Sequence, residues 1–430
     1  MGRIEEACVM KRNHLERVLR RLIDITCLLF FVMLVMVLSL GSCSQSGEPI
    51  NGRQTALMLC QAQFKQVKGA DGKDRPVPGA ALLLMVYPTS KGWKSERVED
   101  PESNVFHKAI SLGDGFLTIG ANAAALKEWT REKGTWVGTA LWKPSFGGEN
   151  DRLRDIEIGD VTGDGNDDLV IATHDQGVVA VLQRKGQGWD VTELNRSPQT
   201  FVHEIEIGDV NNDGVNEFFA TPSAPNKVDG TPQPGAIHMF RYNGNSFERR
   251  IIEEFPTRHV KEILAADVDR SGYPDLFAAL EAEMTNVGGG QQIVDTVKIK
   301  QYCYENGAYA GSIVASFPDA FCRFLNGGDV DGDGKMDLIV STFKSGIWVL
   351  RQDNGAWQKE LIDKDSSGFE HATWVGDMNQ DGVAEIVVAS DDQGALRQYR
   401  WDGKTFEKEE LIPLPKGNIT FNITALPSGH

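Results

Sequence analysis

The stretch GDVDGDGKMDLIV (residues 328–340) decides how the chain is read: carboxylates at alternate places, a glycine at the sixth loop position, then an abrupt apolar run. Four near-copies accompany it, GDVTGDGNDDLVIA from Gly159, GDVNNDGVNEFFA from Gly208, ADVDRSGYPDLFAA from Ala266 and GDMNQDGVAEIVVA from Gly376. Their first aspartates, Asp160, Asp209, Asp267, Asp329 and Asp377, follow one another at intervals of about 50 to 60 residues, the size of a propeller blade and too long for a solenoid turn.

Around each copy four short β-like runs recur between Gly, Asn and Asp turns. The clearest set is IEIGD, DLVIATH, VVAVLQRKG and WDVTELNRS after Arg154, and a degenerate set, VFHKAISLGDG, FLTIGAN, AALKEWTREKG and TWVGTALW, precedes it. That makes six blades. The chain ends supply the seventh: TALMLCQAQF, GAALLLMVY and WKSERVED read as strands two to four of a blade lacking its first, and ITFNITAL follows the sixth complete blade as a lone strand. Pairing that strand with the N-terminal blade closes the ring and leaves no bare sheet edge. The expectation is an all-β protein: a seven-bladed β-propeller of four-stranded blades over residues 54–430, closed by its C-terminal strand.

Calcium takes six to eight hard oxygen ligands, and short side chains at alternate loop positions can converge on one point while a backbone carbonyl supplies another. In the loop quoted above, Asp329, Asp331, Asp333 and Asp337 offer carboxylates, Lys335 its carbonyl, and Gly334 the sharp turn. The copies offer Asp160, Thr162, Asp164 and Asp168 with the Asn166 carbonyl, and Asp209, Asn211, Asp213 and Glu217 with that of Val215. They also offer Asp377, Asn379, Asp381 and Glu385 with that of Val383, and Asp267, Asp269, Ser271 and Asp275 with that of Tyr273. A hydroxyl at the fifth place and Pro274 make the last of these the weakest. A helix–loop–helix calcium hand is excluded, because the twelfth places hold Ile171, Ala220, Ala278, Val340 and Val388 instead of glutamate. The bland alternative is that the acidic turns merely cap strands, but four carboxylates within nine residues repel one another unless a cation sits among them.

On these residues the chain resembles the FG-GAP or VCBS repeat, the unit of integrin-α-type β-propellers, over roughly residues 105–415. The resemblance implies Ca2+ in the loops just named.

The first 42 residues read differently. Lys11, Arg12, Arg17, Arg20 and Arg21 precede an apolar run over 27–40, long enough for a signal-peptide core and short for a membrane span. The run ends in Leu40-Gly41-Ser42-Cys43, which resembles the lipobox of bacterial lipoproteins and implies cleavage before Cys43, lipidation of that cysteine and a polar tether over 43–53. The expectation is an exported lipoprotein held at the outer membrane by its lipid, facing the periplasm or the surface; an uncleaved membrane anchor is the alternative. The formal charge is −17, and the first 42 residues hold six basic and four acidic side chains, so the remainder is near −19, which argues against a nucleic-acid partner. Beyond Cys43 only Cys60, Cys303 and Cys322 remain, so one bridge at most can form, Cys303 to Cys322, and free thiols are the other option.

Strand order assigns faces. If the first strand of each blade runs into the acidic loop, all those loops share one face, and the starts of the first strands lie on the other. There, six residues before each first aspartate, stand Arg154, His203, Lys261, Arg323 and His371, with Lys108 at the matching place before Asp114. Gathered round a central channel they would form a basic collar able to bind an anion such as a carboxylated sugar. Alternatively they pair with Asp155, Glu157, Glu204, Glu206 and Glu262 on the same strands, or His203 and His371 hold a metal with His259. Three long connections between second and third strands, 68–79, 222–235 and 283–292, fall on the same face, where binding residues usually sit. The chain shows no nucleophile motif, nucleotide loop or HExxH pair, and no catalytic residue is assigned. The functional expectation is a binder of a protein or glycan ligand, monomeric or part of an envelope complex. A carbohydrate lyase, dehydratase or hydrolase working at the channel mouth, and a scaffold subunit without ligand, are the alternatives.

Overall fold

The structure is a computed structural model that describes residues 55–426 apart from Ala70, Glu149, Asn150, Gln187, 226–230, Pro232, Gly289, Asn306 and Asn354. The chain divides into two units, Met1–Gly52 and Arg53–His430, and the second holds all the described residues. The leader 1–42, Cys43 and the tether 43–53 lie outside them. Among the described residues there is no helix, and so none long and apolar enough to cross a membrane.

Seven four-stranded antiparallel sheets form the blades. In chain order, blade 2 is Phe106–Leu112, Gly115–Gly120, Ala125–Glu132 and Thr135–Trp142, and blade 3 is Leu153–Gly159, Asp168–Thr173, Val179–Lys185 and Gly188–Asn195. Blade 4 is Phe201–Gly208, Glu217–Ser223, Gly235–Tyr242 and Phe247–Phe255; blade 5 is Val260–Ala266, Asp275–Leu280, Val297–Glu305 and Ala308–Phe317. Blade 6 is Cys322–Gly328, Asp337–Thr342, Ile347–Asp353 and Ala356–Asp363; blade 7 is Thr373–Gly376, Glu385–Ser390, Ala395–Trp401 and Phe406–Pro413. Blade 1 joins the chain ends: Ile419–Leu426 pairs antiparallel with Ala56–Lys68, which is followed outward by Asp74–Thr89 and Gly92–Asp100. The first strands touch one another in cyclic order and therefore line the channel.

Each hydrophobic core sits between two neighbouring blades. Val170, Ala172, Val179 and Val181 of blade 3, for example, pack on Ile205, Phe218 and Phe240 of blade 4. With a neighbour on both faces, second strands such as Leu169–Ala172 are apolar at every position. Trp93, Trp189, Trp348 and Trp357 lean against these cores as blade packing.

A β-bulge recurs at the start of the first strand. In blade 3, Leu153 pairs with Thr173 and Asp155 with Ala172, so Arg154 is the extra residue. The same slip sets aside Phe421 in blade 1, His107 in blade 2, Lys261 in blade 5 and Arg323 in blade 6, and falls at His203 and Glu204 in blade 4. A bulged residue leaves the in–out alternation of its strand, which is how a sheet re-aims one side chain.

Two of the expected long connections are ordered hairpins. Ala56–Lys68 and Asp74–Thr89 stay paired out to Lys68 and Asp74, and Glu283–Val287 pairs with Gly290–Asp295. The third, 222–235, is partly outside the described residues. Cys60, Cys303 and Cys322 are free thiols.

Candidate functional site

The acidic loops take one backbone form. The sixth-position glycines, Gly165, Gly214, Gly272, Gly334 and Gly382, all have φ between 79° and 92°, a region that only glycine enters freely. The fourth positions, Gly163, Asn212, Arg270, Gly332 and Gln380, are also left-handed, which the sequence pattern did not reveal. The apolar second positions, Val161, Val210, Val268, Val330 and Met378, are buried in the cores. Adjacent loops interlock: the Ala384 N–H donates to the Asp329 carbonyl at 2.8 Å, and the Asn216 amide to the Asp160 carbonyl at 2.9 Å.

Side chains divide the loops into two kinds. In four of them the first aspartate accepts the N–H of the sixth-position glycine at 2.8 Å, as Asp160 does from Gly165, Asp209 from Gly214, Asp267 from Gly272 and Asp377 from Gly382. Neighbours in these loops also bond among themselves. The Thr162 hydroxyl donates to Asp168 and the Asn166 N–H to Asp164; Asn211 bonds Glu217 and the Val215 N–H donates to Asp213. The Ser271 N–H donates to Asp269 and its hydroxyl to the Tyr273 carbonyl, while Asp275 accepts from Gln301. Asn379 donates to Glu385, and the Val383 N–H to Asp381. The loop of Asp329 is of the other kind. Asp329 takes the Gly332 N–H instead, and Asp329, Asp331 and Asp333 each bring a carboxylate oxygen within 4.8 Å of the others, a cluster that could hold a metal ion. Lys335 donates its N–H to Asp333, Asp337 accepts from the Val330 N–H, and Arg351 stands 2.8 Å from Asp331.

At the opposite face the bulges converge. Phe421, His107, Arg154, His203, Lys261 and Arg323, one from each of blades 1 to 6, line a cavity of 530 Å³ at the channel mouth, and blade 7 adds Glu370. The volume suits a small-molecule site. The Glu370 carboxylate lies 2.7 Å from Arg323 and 3.6 Å from both Arg154 and Lys261. Burial opposes its ionisation, but Arg323, Lys261 and Arg154 hold it well below the usual carboxylate range. Glu281 stands 3.8 Å from Arg323 and 3.5 Å from His259. Burial pushes His107 and His203 well below their ordinary value, and His174 to about 4, so these three rings are neutral. The His107 Nδ1–H donates to the Leu153 carbonyl at 2.6 Å. His203 is 4 % exposed, yet neither of its ring nitrogens has a hydrogen-bond partner.

Four of the six expected collar residues therefore meet at the mouth, and two do not. Lys108 lies deeper in the channel, 2.8 Å from Asp155, bonded to Glu157 and 4.0 Å from Glu204. Blade 2 has no acidic loop: Leu112 pairs with Gly115 across a two-residue turn, so counting back from Asp114 lands one residue late, and His107 holds the bulge. His371 is fully buried, its Nδ1–H donating to the Thr342 carbonyl and its other nitrogen against the Ser366 hydroxyl. Its φ of 53° turns the chain so that Glu370 faces the mouth in its place. His203 and His259 have ring centroids 5.5 Å apart, but His371 is not with them, and among the described residues no histidine group brings three donor atoms together for a metal.

Of the carboxylates expected to pair with the collar, Asp155 and Glu157 meet Lys108 and Glu262 stands 3.6 Å from Lys261; together with Glu204 and Glu206 they form a layer below the mouth. Asp155 accepts from the Ile205 N–H and Glu206 from the Ala265 N–H. Burial, with the Glu157 charge beside it, pushes Glu206 up to about 8, and burial also raises Glu204 and Glu262.

The comparisons with known proteins agree with this architecture. The fold defines the class, a seven-bladed β-propeller. The FG-GAP-like repeat matches residues 160–220 and 329–388, each running from a first loop aspartate into the second strand of the next blade, so the ring is a β-propeller that carries FG-GAP-like repeats. Solved structures of similar fold include a protein from Lactobacillus plantarum (11 % identity, 87 % of this chain and 100 % of that one, TM-score 0.55). Others are a putative 6-phosphogluconolactonase from Bacteroides fragilis (13 %, 88 % and 100 %, 0.53) and the periplasmic gluconolactonase of Pseudomonas aeruginosa (12 %, 87 % and 100 %, 0.53). At these identities the likeness is one of fold. A search of curated proteins gave no match.

Proposed function

We propose that this chain is a ligand-binding propeller of the bacterial cell envelope, anchored by lipid on Cys43 and stabilised by Ca2+, which takes a protein or glycan ligand at the channel mouth opposite its acidic loops. The observation that carries the reading is the mouth itself: residues from all seven blades meet around one cavity, and a buried imidazole there has both nitrogens unbonded. Buried polar groups are rarely left so, and a bound molecule would supply the partner. Asp329, Asp331 and Asp333 with the Lys335 carbonyl suit a hard cation, since every donor is oxygen. The ion would neutralise carboxylate charge that Arg351, beside Asp331, and Lys335, beside Asp333, offset only in part.

Hydrolysis of a sugar lactone at the same mouth is a second reading, prompted by the names of two fold neighbours and by a neutral His203 that could act as a base. Glycan-array and pull-down screens of the wild type and an Arg154→Ala/Arg323→Ala double variant test the binding reading. Capture is expected to weaken about tenfold or more in the variant. Capture that survives unchanged places the ligand elsewhere, and product released from a lactone probe favours the second reading.

A further inference from the structure

The floor and the walls of the mouth differ in kind. On the floor, Arg154 and Lys261 reach Glu370 only at 3.6 Å, Lys261 reaches Glu262 at 3.6 Å and Arg323 reaches Glu281 at 3.8 Å, all longer than a hydrogen bond, and the Nε of Arg154 and of Arg323 has no partner. An anionic oxygen among these groups would gain charge-assisted bonds that Glu370, shared three ways, does not supply. His203 beside them is neutral and can donate one N–H to such an oxygen, whereas a metal cation would meet the field of Lys261 and Arg154.

The walls are mostly apolar. Phe421 stands beside Arg154, Phe321 and Phe343 pack edge to face at 5.6 Å, and Phe369, 55 % exposed, lies under the Arg323 guanidinium at 5.4 Å. Phe64 and Met284 add to the lining from the two long hairpins, Ala56–Lys68 with Asp74–Thr89 and Glu283–Val287 with Gly290–Asp295, and Asn104, Gln233 and Gln291 set a few polar groups among these rings. Beyond the cavity the same hairpins carry exposed Val67, Val77, Val287 and Ile293. Hydroxyls of a sugar laid against such rings would lose more water than these few polar groups replace; a hydrocarbon body would only lose water, which is favourable.

We propose that the occupant is an amphipathic carboxylate, its head seated on Arg154, Lys261, Arg323 and His203 and its acyl or aryl body against the phenylalanine walls, between the two hairpins. This rests on reading the mouth as the ligand site and puts a small amphipathic acid there in place of a protein or glycan.

Calorimetric titration of the full chain with octanoate, octanamide and glucuronate separates head from body. Octanoate is expected to bind about tenfold more tightly than either other probe. Arg323→Gln should remove most of that advantage while leaving octanamide unchanged, and Phe369→Ala should weaken octanoate but not glucuronate. Melting curves confirm that both variants fold. Glucuronate binding tighter than octanoate, and lost in Arg323→Gln, overturns the amphipathic ligand and keeps the mouth as the site. The amphipathic ligand is likewise overturned, and the mouth kept, if no probe binds while ligand capture in the array or pull-down remains sensitive to the double variant. Octanoate binding that ignores Arg323→Gln overturns both readings.

Discussion

At one end of the ring five blades carry the same loop, with aspartate first and glycine sixth; at the other, the bulges of six blades hold Phe421, His107, Arg154, His203, Lys261 and Arg323, and blade 7 presents Glu370. The first pattern is what a local requirement produces. Each blade must turn its chain between two strands and lock to its neighbour, and each can do so with the same residues. The second pattern suits a joint requirement. Seven side chains facing one cavity need not resemble one another, and they must differ if what they face lacks sevenfold symmetry. Repetition fits parts that lock each blade to the next, and its loss at the mouth fits the proposed ligand site.

The comparison can be broken most severely at the closing strand. Truncation before Ile419 removes the partner of Ala56–Lys68 and, with Phe421, one wall of the mouth. It leaves a bare apolar edge. Loss of the cooperative melting transition, with aggregation, is expected; a truncated chain that melts like the wild type would show that the ring does not depend on this pairing.

Calcium separates the two faces next. Chelation, or Asp331→Asn with Asp333→Asn, should lower the melting temperature, since a site saturated at a hundredfold excess over its Kd contributes about 2.7 kcal/mol. Ligand capture by the protein that remains folded should not change. A melting temperature indifferent to chelation would reduce the acidic loops to strand caps.

The last test concerns the layer between the faces. Glu206 titrates near 8 in the folded protein against an ordinary 4.5, so the folded state holds the extra proton across that window. Its contribution therefore falls as pH rises from 4.5 to 8. Glu206→Gln keeps an acceptor for the Ala265 N–H and removes the charge. The variant should melt a few degrees above wild type at pH 8 and level with it at pH 4.5, as melting curves across that range would record. A gain equal at both ends would mean that charge is not the cause.

Much of this was legible in the chain. Blade number, the acidic loops and the closing strand followed from spacing and alternation, which are properties of neighbours in sequence. Counting six back from the first aspartate found Arg154, His203, Lys261 and Arg323, because the same loop precedes the same second strand in each of those blades. The count failed at Lys108, where a two-residue turn replaces the loop, and at His371, where one left-handed residue exchanges it for Glu370. Phe421 could have been found by aligning ITFNITAL with the other first strands. Glu370 carried no such signal.

By itself the sequence determined the seven-bladed ring and the carboxylate loops, because strand period and tight turns depend on residues close together in the chain. Only the tertiary structure decided which side chains meet at the mouth, because β-bulges are set by the register between strands and convergence by the closing of the ring. Neither is written in the spacing of any one blade.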